Sequence, residues 1–274
     1  MNKLQKLVFT LLAPIAIGGT SLIAPEVKAQ TYPAVCTDPY GFPGGSACRG
    51  TPTGYFTRIY ELGICKSDPI SGSGFDFEAA KCVKTYSNDS PTEIDLASGD
   101  EFKLGEISDF PFDTYTHTYM IVSNKFGYRG RINVAGAGLF TTTGVTLNTS
   151  LAGRPNYYTG QMAIGGGENR YDDEVKDFES GLAGCTDQID SYVLPDDPGT
   201  VSAFLADANN QKTCGNGVSR IIASFAFGSP VEITGDSELK VEFSVTNFGI
   251  YYQQDGGGGV EAVGGPFMPR FSVN

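Results

Sequence analysis

One histidine, six cysteines and a run of acidic residues hold most of the chemistry this chain offers. His117 is the single histidine, so Ser-His-Asp catalysis would have to run through it. It stands between Tyr115 and Tyr119, a setting that suits a structural hydrogen bond better than proton transfer. No Gly-x-Ser-x-Gly surrounds any serine, which argues against an elbow-type hydrolase. Carboxylates abound, but nothing marks two of them as a glycosidase pair. Trp is absent. Stacking on a sugar would therefore fall to Tyr157 and Tyr158 or to Tyr251 and Tyr252.

Metal chemistry is narrowed in the same way. A lone histidine rules out histidine-rich sites, and no Cys-x-x-Cys spacing points to zinc. Asp172, Asp173, Glu174 and Asp177 cluster, Asp187 and Asp190 follow, and then Asp196 and Asp197. Hard oxygen ligands on turn-rich loops suit calcium. Asp172, Asp173, Asp177, Asp196 and Asp197 are its candidate ligands, against the reading of a solvated acidic loop with no cofactor. No EF-hand spacing and no Walker A pattern is present. Gly136-Ala-Gly138 and Gly165-Gly-Gly167 read as turns rather than phosphate cradles.

The cysteines read as bridges because the chain opens like an exported protein. Lys3 and Lys6 precede an apolar run from Leu7 to Ile23, broken by Pro14 and Gly18-Gly19. Val27-Lys-Ala29 then offers small residues for cleavage before Gln30. Residues 1–29 are thus expected to be a signal peptide, and the rest to reach a compartment where disulfides persist. Sequential pairing closes the shortest loops: Cys36–Cys48, Cys65–Cys82 and Cys185–Cys214. The last would close roughly 30 residues, contributing about 3 to 4 kcal/mol in the chain-entropy account.

The net charge is -12. Residues 1–29 carry Lys3, Lys6 and Lys28 against Glu26, so removing them leaves -14. That sign repels phosphate backbones and disfavours nucleic acid as a partner. No later stretch reaches the roughly 20 apolar residues of a spanning helix, so no transmembrane anchor is expected.

The elements that position these residues are strands. Gly is abundant, and Tyr and Phe lie inside β-branched stretches. Residues 30–54 read as an irregular loop, with regular structure starting at Tyr55. Tyr55–Cys65 and Glu78–Tyr86 form a pair that sets Cys65 opposite Cys82. Glu93–Leu96 and Glu101–Leu104 read as short strands around a tight turn. In Tyr115–Val122, alternation places Tyr115, His117, Tyr119 and Ile121 on one face, and Phe126–Val134 pairs with this strand. Between about 135 and 217 the pattern weakens, and a short helix is expected over Thr200–Asn209. Ile221–Phe227 and Leu239–Val245 then alternate around a hairpin turn at Thr234-Gly-Asp236. Phe267–Val273 reads as a last strand, pairing in its own sheet or reaching a neighbour's edge.

The expectation is an all-β protein. It has one antiparallel β-sandwich domain over 30–274, Ig-like or jelly-roll-like, with a long disulfide-tied irregular insertion at about 135–217. Tyr55-Phe-Thr-Arg-Ile-Tyr-Glu-Leu-Gly-Ile-Cys65 and Thr114-Tyr-Thr-His-Thr-Tyr-Met-Ile-Val122 resemble parts of secreted, cysteine-containing β-rich proteins of marine bacteria that lack an assigned role. The resemblance covers the first half of the mature chain and implies no activity.

The functional expectation is an exported structural or interaction protein of the cell surface or extracellular space, with the periplasm as the other compartment. Its partner would be an extracellular protein or a glycan surface. One alternative is a carbohydrate-binding or glycoside-cleaving protein. Another is a self-assembling subunit of an extracellular polymer, joined by strand addition.

Overall fold

Strands form where β-branched and aromatic residues concentrate, and they fill most of the described residues. The structure is a computed structural model. It describes residues 34–37, 42, 46–71, 74–97, 111–144, 160–178, 188–193, 200–234, 239–254, 258–265 and 267–273. In chain order the first strands are β1 (Ala47–Gly50), β2 (Gly54–Thr57), β3 (Ile59–Cys65), β4 (Ile70–Ser71), β5 (Gly74–Phe75), β6 (Val83–Ser87) and β7 (Ile94–Asp95). Next come β8 (Asp113–Ser123), β9 (Lys125–Arg129), β10 (Arg131–Val134), β11 (Gly138–Thr142), β12 (Gly160–Ile164), β13 (Tyr171–Glu174) and β14 (Gln188–Val193). The last are β15 (Thr200–Ala206), β16 (Arg220–Ile233), β17 (Leu239–Ser244), β18 (Ile250–Gln254), β19 (Val260–Gly264) and β20 (Met268–Val273). Among the described residues there is no α-helix, only a 3-10 turn at Gly215–Gly217.

These strands make antiparallel sheets. One six-stranded sheet runs β1-β18-β19-β12-β11-β10, another runs β14-β15-β16-β8-β3-β6, and a four-stranded sheet runs β13-β9-β2-β7. The last two are joined by a single bent ribbon. β2 leads into β3 through Arg58, and β8 leads into β9 through Asn124. β2 pairs with β9, and β3 with β8. One apolar core draws on all three sheets, with Tyr252 and Phe140 from the first, Leu62 and Met120 from the second, and Tyr55 and Tyr128 from the third.

The second six-stranded sheet is also covered on its far side. The loop between Cys65 and Cys82 packs Ile70, Phe75, Phe77 and Ala80 with Tyr119, Ile121, Phe204 and Ile222. Cys65 and Cys82 are bonded at the neck of that loop, with Cα atoms 4.0 Å apart. Cys36 and Cys48 are bonded as well, at 5.0 Å. This bridge holds residues 34–36 along the edge of β1. There the Cys36 amide donates to the Arg49 carbonyl at 2.8 Å, and the Arg49 amide to the Ala34 carbonyl at 3.0 Å. Covering an edge this way shields it from pairing with another chain. Cys214 is disulfide-bonded, while Cys185, its expected partner, lies outside the described residues.

Several elements differ from their sequence-based expectation. Regular structure begins at Ala47, ahead of Tyr55. Residues 200–206 form β15 rather than a helix, because both faces of this strand are buried and its sequence loses alternation. The middle region is more regular than its composition suggests. β11 and β12 join one six-stranded sheet, β14 and β15 the other, and β13 the four-stranded one. β16 does not alternate in burial, with Ile222, Ala223 and Ser224 all enclosed, and it does not pair with β17. β16 lies between β15 and β8, and β17 pairs with β20. The C-terminal strand therefore pairs within its own chain, and Phe267 just before it is buried in the core. The signal segment and Glu101–Leu104 lie outside the described residues.

Candidate functional site

His117 sits on β8 opposite Cys65 of β3 and Ala226 of β16. The pairing of β8 with β16 breaks there, with a register shift between Ala226 and Val231. Such bulges re-aim neighbouring side chains. Tyr115 packs with Ile64 and Ile233, in a different cluster from Tyr119 and Ile121.

A short relay holds the imidazole. The Thr116 hydroxyl donates to the Lys66 carbonyl at 2.8 Å, and its oxygen lies 2.8 Å from His117 Nδ1. With its one proton given to Lys66, Thr116 must accept from Nδ1–H, which leaves Nε2 as the acceptor of a neutral ring. Burial lowers the His117 pKa, and the nearby Asp68 carboxylate offsets part of that. Asp68 itself accepts from the Ile70 amide at 3.0 Å, and Ser202 Oγ lies 3.5 Å from its other oxygen. A serine, a histidine and an aspartate thus share one region, but not in relay order. The serine addresses the aspartate directly, and Thr116 takes the nitrogen that a triad carboxylate would hold.

The acidic run is distributed by strand alternation. On β13, Asp172 points to solvent and meets Arg170 at 2.5 Å, whereas Asp173 lies on the side of Tyr171 and Tyr128. Glu174 pairs with Lys176 at 3.2 Å. Asp172 and Asp173 therefore face opposite sides of β13. Among the described residues no group of three His, Cys, Asp or Glu is placed to hold a metal ion. Asp196 and Asp197 lie outside them, as do Asp187, Tyr157 and Tyr158. Tyr251 and Tyr252 cannot act as one sugar platform, because Tyr252 is buried in the core and its neighbour is on the other face of β18.

Burial of the Asp173 carboxyl pushes its pKa up to about 6, partly opposed by hydrogen bonds from the Glu174 amide and the Tyr171 side chain. A folded value raised above the ordinary 3.8 means the folded state holds this proton more tightly. Its stabilising effect is complete below about pH 4 and is lost as pH climbs through 6. The full shift corresponds to about 3 kcal/mol, and partial exposure of the residue reduces this to about 1 to 2 kcal/mol. Asp173→Asn is expected to stabilise the protein by that amount at pH 7 and by nothing near pH 3.5. Urea unfolding of both proteins across this range tests it, and a pH-independent difference would refute it.

The most organised polar group is one the sequence does not announce. On the outer face of the four-stranded sheet, Phe56, Gly127 and Asp172 lie in one row. The guanidinium carbons of Arg170 and Arg129 stand 4.8 and 5.2 Å from the centre of the Phe56 ring. Gly127 and Gly54 make this stacking feasible, since a Cβ at either would collide with the Arg170 or Arg129 guanidinium. Arg170 forms a two-pronged pair with Glu93, one prong at 2.9 Å, and Arg129 meets Asp95 at 3.3 Å. Asp95 also accepts from the Tyr55 and Ala97 amides. The Arg170 hydrogen bond holds the Glu93 carboxyl below the usual carboxylate range. No signal in the one-dimensional pattern finds this cluster, because it depends on the register of β2, β9 and β13.

Two disulfides, together with the lack of any helix among the described residues long and apolar enough to cross a membrane, fit an extracellular or periplasmic protein. No protein-family model, no curated protein and no solved structure matches the chain.

Proposed function

We propose that this chain is an exported structural or interaction protein of the cell surface or extracellular space, built as a β-sandwich and working through its surfaces rather than by catalysis. The supporting observation is how its reactive side chains are used. His117 is tied through Thr116 to the main chain of the Cys65–Cys82 loop. Glu61 accepts from the Tyr119 hydroxyl at 2.6 Å and pairs with Lys84 at 2.6 Å. Glu93 and Asp95 fasten their segment to two arginines. These contacts join loops, edges and neighbouring strands to one another.

Fractionation of producing cells with an antibody to the protein tests this reading. The expected result is protein in the medium or on the cell surface, starting at Gln30. Protein retained in the cytosol with residues 1–29 attached would sink it. The carbohydrate-cleaving alternative is tested separately. If glycan cleavage is found, a His117→Asn variant that folds normally yet loses the activity would assign a hydrolase instead. For a structural His117 the variant costs no more than about 0.5 to 3 kcal/mol of stability and leaves binding intact.

A further inference from the structure

The outer face around Phe56 gathers arginines on an acidic protein, with Asp172 of the same sheet paired to one of them. Arg129 and Arg170 flank the ring, and Arg58 lies within electrostatic reach of Glu93. The segment that covers this face makes few main-chain bonds to the sheet, and its Leu96 reaches into the core. β7 is two residues long and pairs only Ile94 and Asp95 with Thr57 and Phe56. Its one further main-chain bond here runs from the Leu96 amide to the Tyr55 carbonyl. Residues 88–90 leading into it are exposed. Glu93 and Asp95 stand two residues apart, a spacing that puts both carboxylates on one side of an extended strand. One reaches Arg170 and the other Arg129.

We propose that the β2 edge with Arg129 and Arg170 is a docking site for an extended acidic segment of a partner protein, with carboxylates at alternate residues, and that Glu93-Ile-Asp95 is its built-in occupant. Strand addition supplies main-chain bonds without sequence preference, and the paired arginines read the two acids. A partner strand that pairs with more of β2 than two residues displaces the short internal one. Local opening is the step it needs, in which two main-chain pairs and two ion pairs are given up and Leu96 leaves the core. The proposal rests on reading the chain as an interaction protein. Export is tested on cell fractions, so failure of either reading is told apart from failure of the other.

The probe is a synthetic peptide with the sequence of residues 90–97, measured against the full chain carrying Glu93→Gln and Asp95→Asn. We expect binding about tenfold tighter than to the unsubstituted protein, where the internal strand competes, and about tenfold weaker when Arg170→Gln is added. Equal binding of a peptide with Gln and Asn at the two acidic positions, or no binding, would overturn the proposal. Hydrogen exchange on the unsubstituted protein stands independently of any variant's folding. The Leu96 and Ala97 amides are expected to exchange at least about tenfold faster than those of Gly127 and Tyr128. Exchange of all four only by global unfolding would overturn it too. A concentration-dependent dimer abolished by Arg170→Gln would place a second copy's segment at the site and refute a different protein as the occupant.

Discussion

Replacing Tyr55 by alanine is expected to destabilise the protein by about 4 kcal/mol, against about 1 kcal/mol for Tyr55→Phe. Tyr55 is fully buried in the third sheet, one residue before the half-buried Phe56 platform. Its ring meets Tyr128, Phe126 and Phe267 edge-on, with centroids 5.0, 6.0 and 5.5 Å away. Edge-to-face pairs of this kind add to the stabilisation from buried area alone. The hydroxyl donates to the Gly265 carbonyl at 2.8 Å, so it ties β2 to the end of β19. Alanine removes the ring from a junction of β2, β9 and the chain just before β20, where little can collapse to fill the space. Phenylalanine keeps the ring and removes the hydroxyl's hydrogen bonds, to the Gly265 carbonyl and with the Tyr128 side chain. Urea midpoints with unchanged slope would measure both costs. A phenylalanine cost as large as that of alanine would mean that the hydrogen bonds, not the ring packing, hold this junction.

The same residue shows what can be read from one dimension. The strand at Tyr55–Cys65 is legible from its β-branched and aromatic content, and the two disulfides follow from loop length. β17 is legible as well, because apolar and charged residues alternate from Leu239 to Val245. Its partner is not, because alternation fixes which face is buried and says nothing about which strand lies alongside. β15 misleads in the opposite way. Both of its faces are buried, the period of two disappears, and a run such as Val201-Ser-Ala-Phe-Leu-Ala206 carries no signature that separates strand from helix. Within the acidic run, strand alternation separates neighbours as it does along β17. Neighbours along β13 point to opposite sides, so Asp172 and Asp173 cannot meet at one ion. The Phe56 platform joins residues from three strands and the residue before β13, and only the register assembles it.

Asn124 carries the second large expected effect. It stands where the ribbon bends from β8 into β9 and is 1% exposed. Its Nδ2 donates to the Val175 carbonyl at 3.0 Å and to the Val218 carbonyl at 3.2 Å. Its own amide donates to the Ser219 carbonyl, and its carbonyl accepts from the Val175 amide. One side chain thus ties the corner to the end of β13 and to the approach to β16. Asn124→Ala keeps the main-chain bonds but deprives two enclosed carbonyls of their donor. The expected cost is about 3 kcal/mol, or about 6 to 12 °C in melting temperature for a chain of this size. Asn124→Asp is expected to cost more at pH 7, because a carboxylate can only accept and would face two carbonyls with a buried charge. Its deficit should shrink toward acid pH, as protonation restores one donor, while the alanine deficit stays flat. If the two variants instead lose equal stability at every pH, the Nδ2 bonds are not what holds the corner. The bend would then rest on main-chain pairing alone.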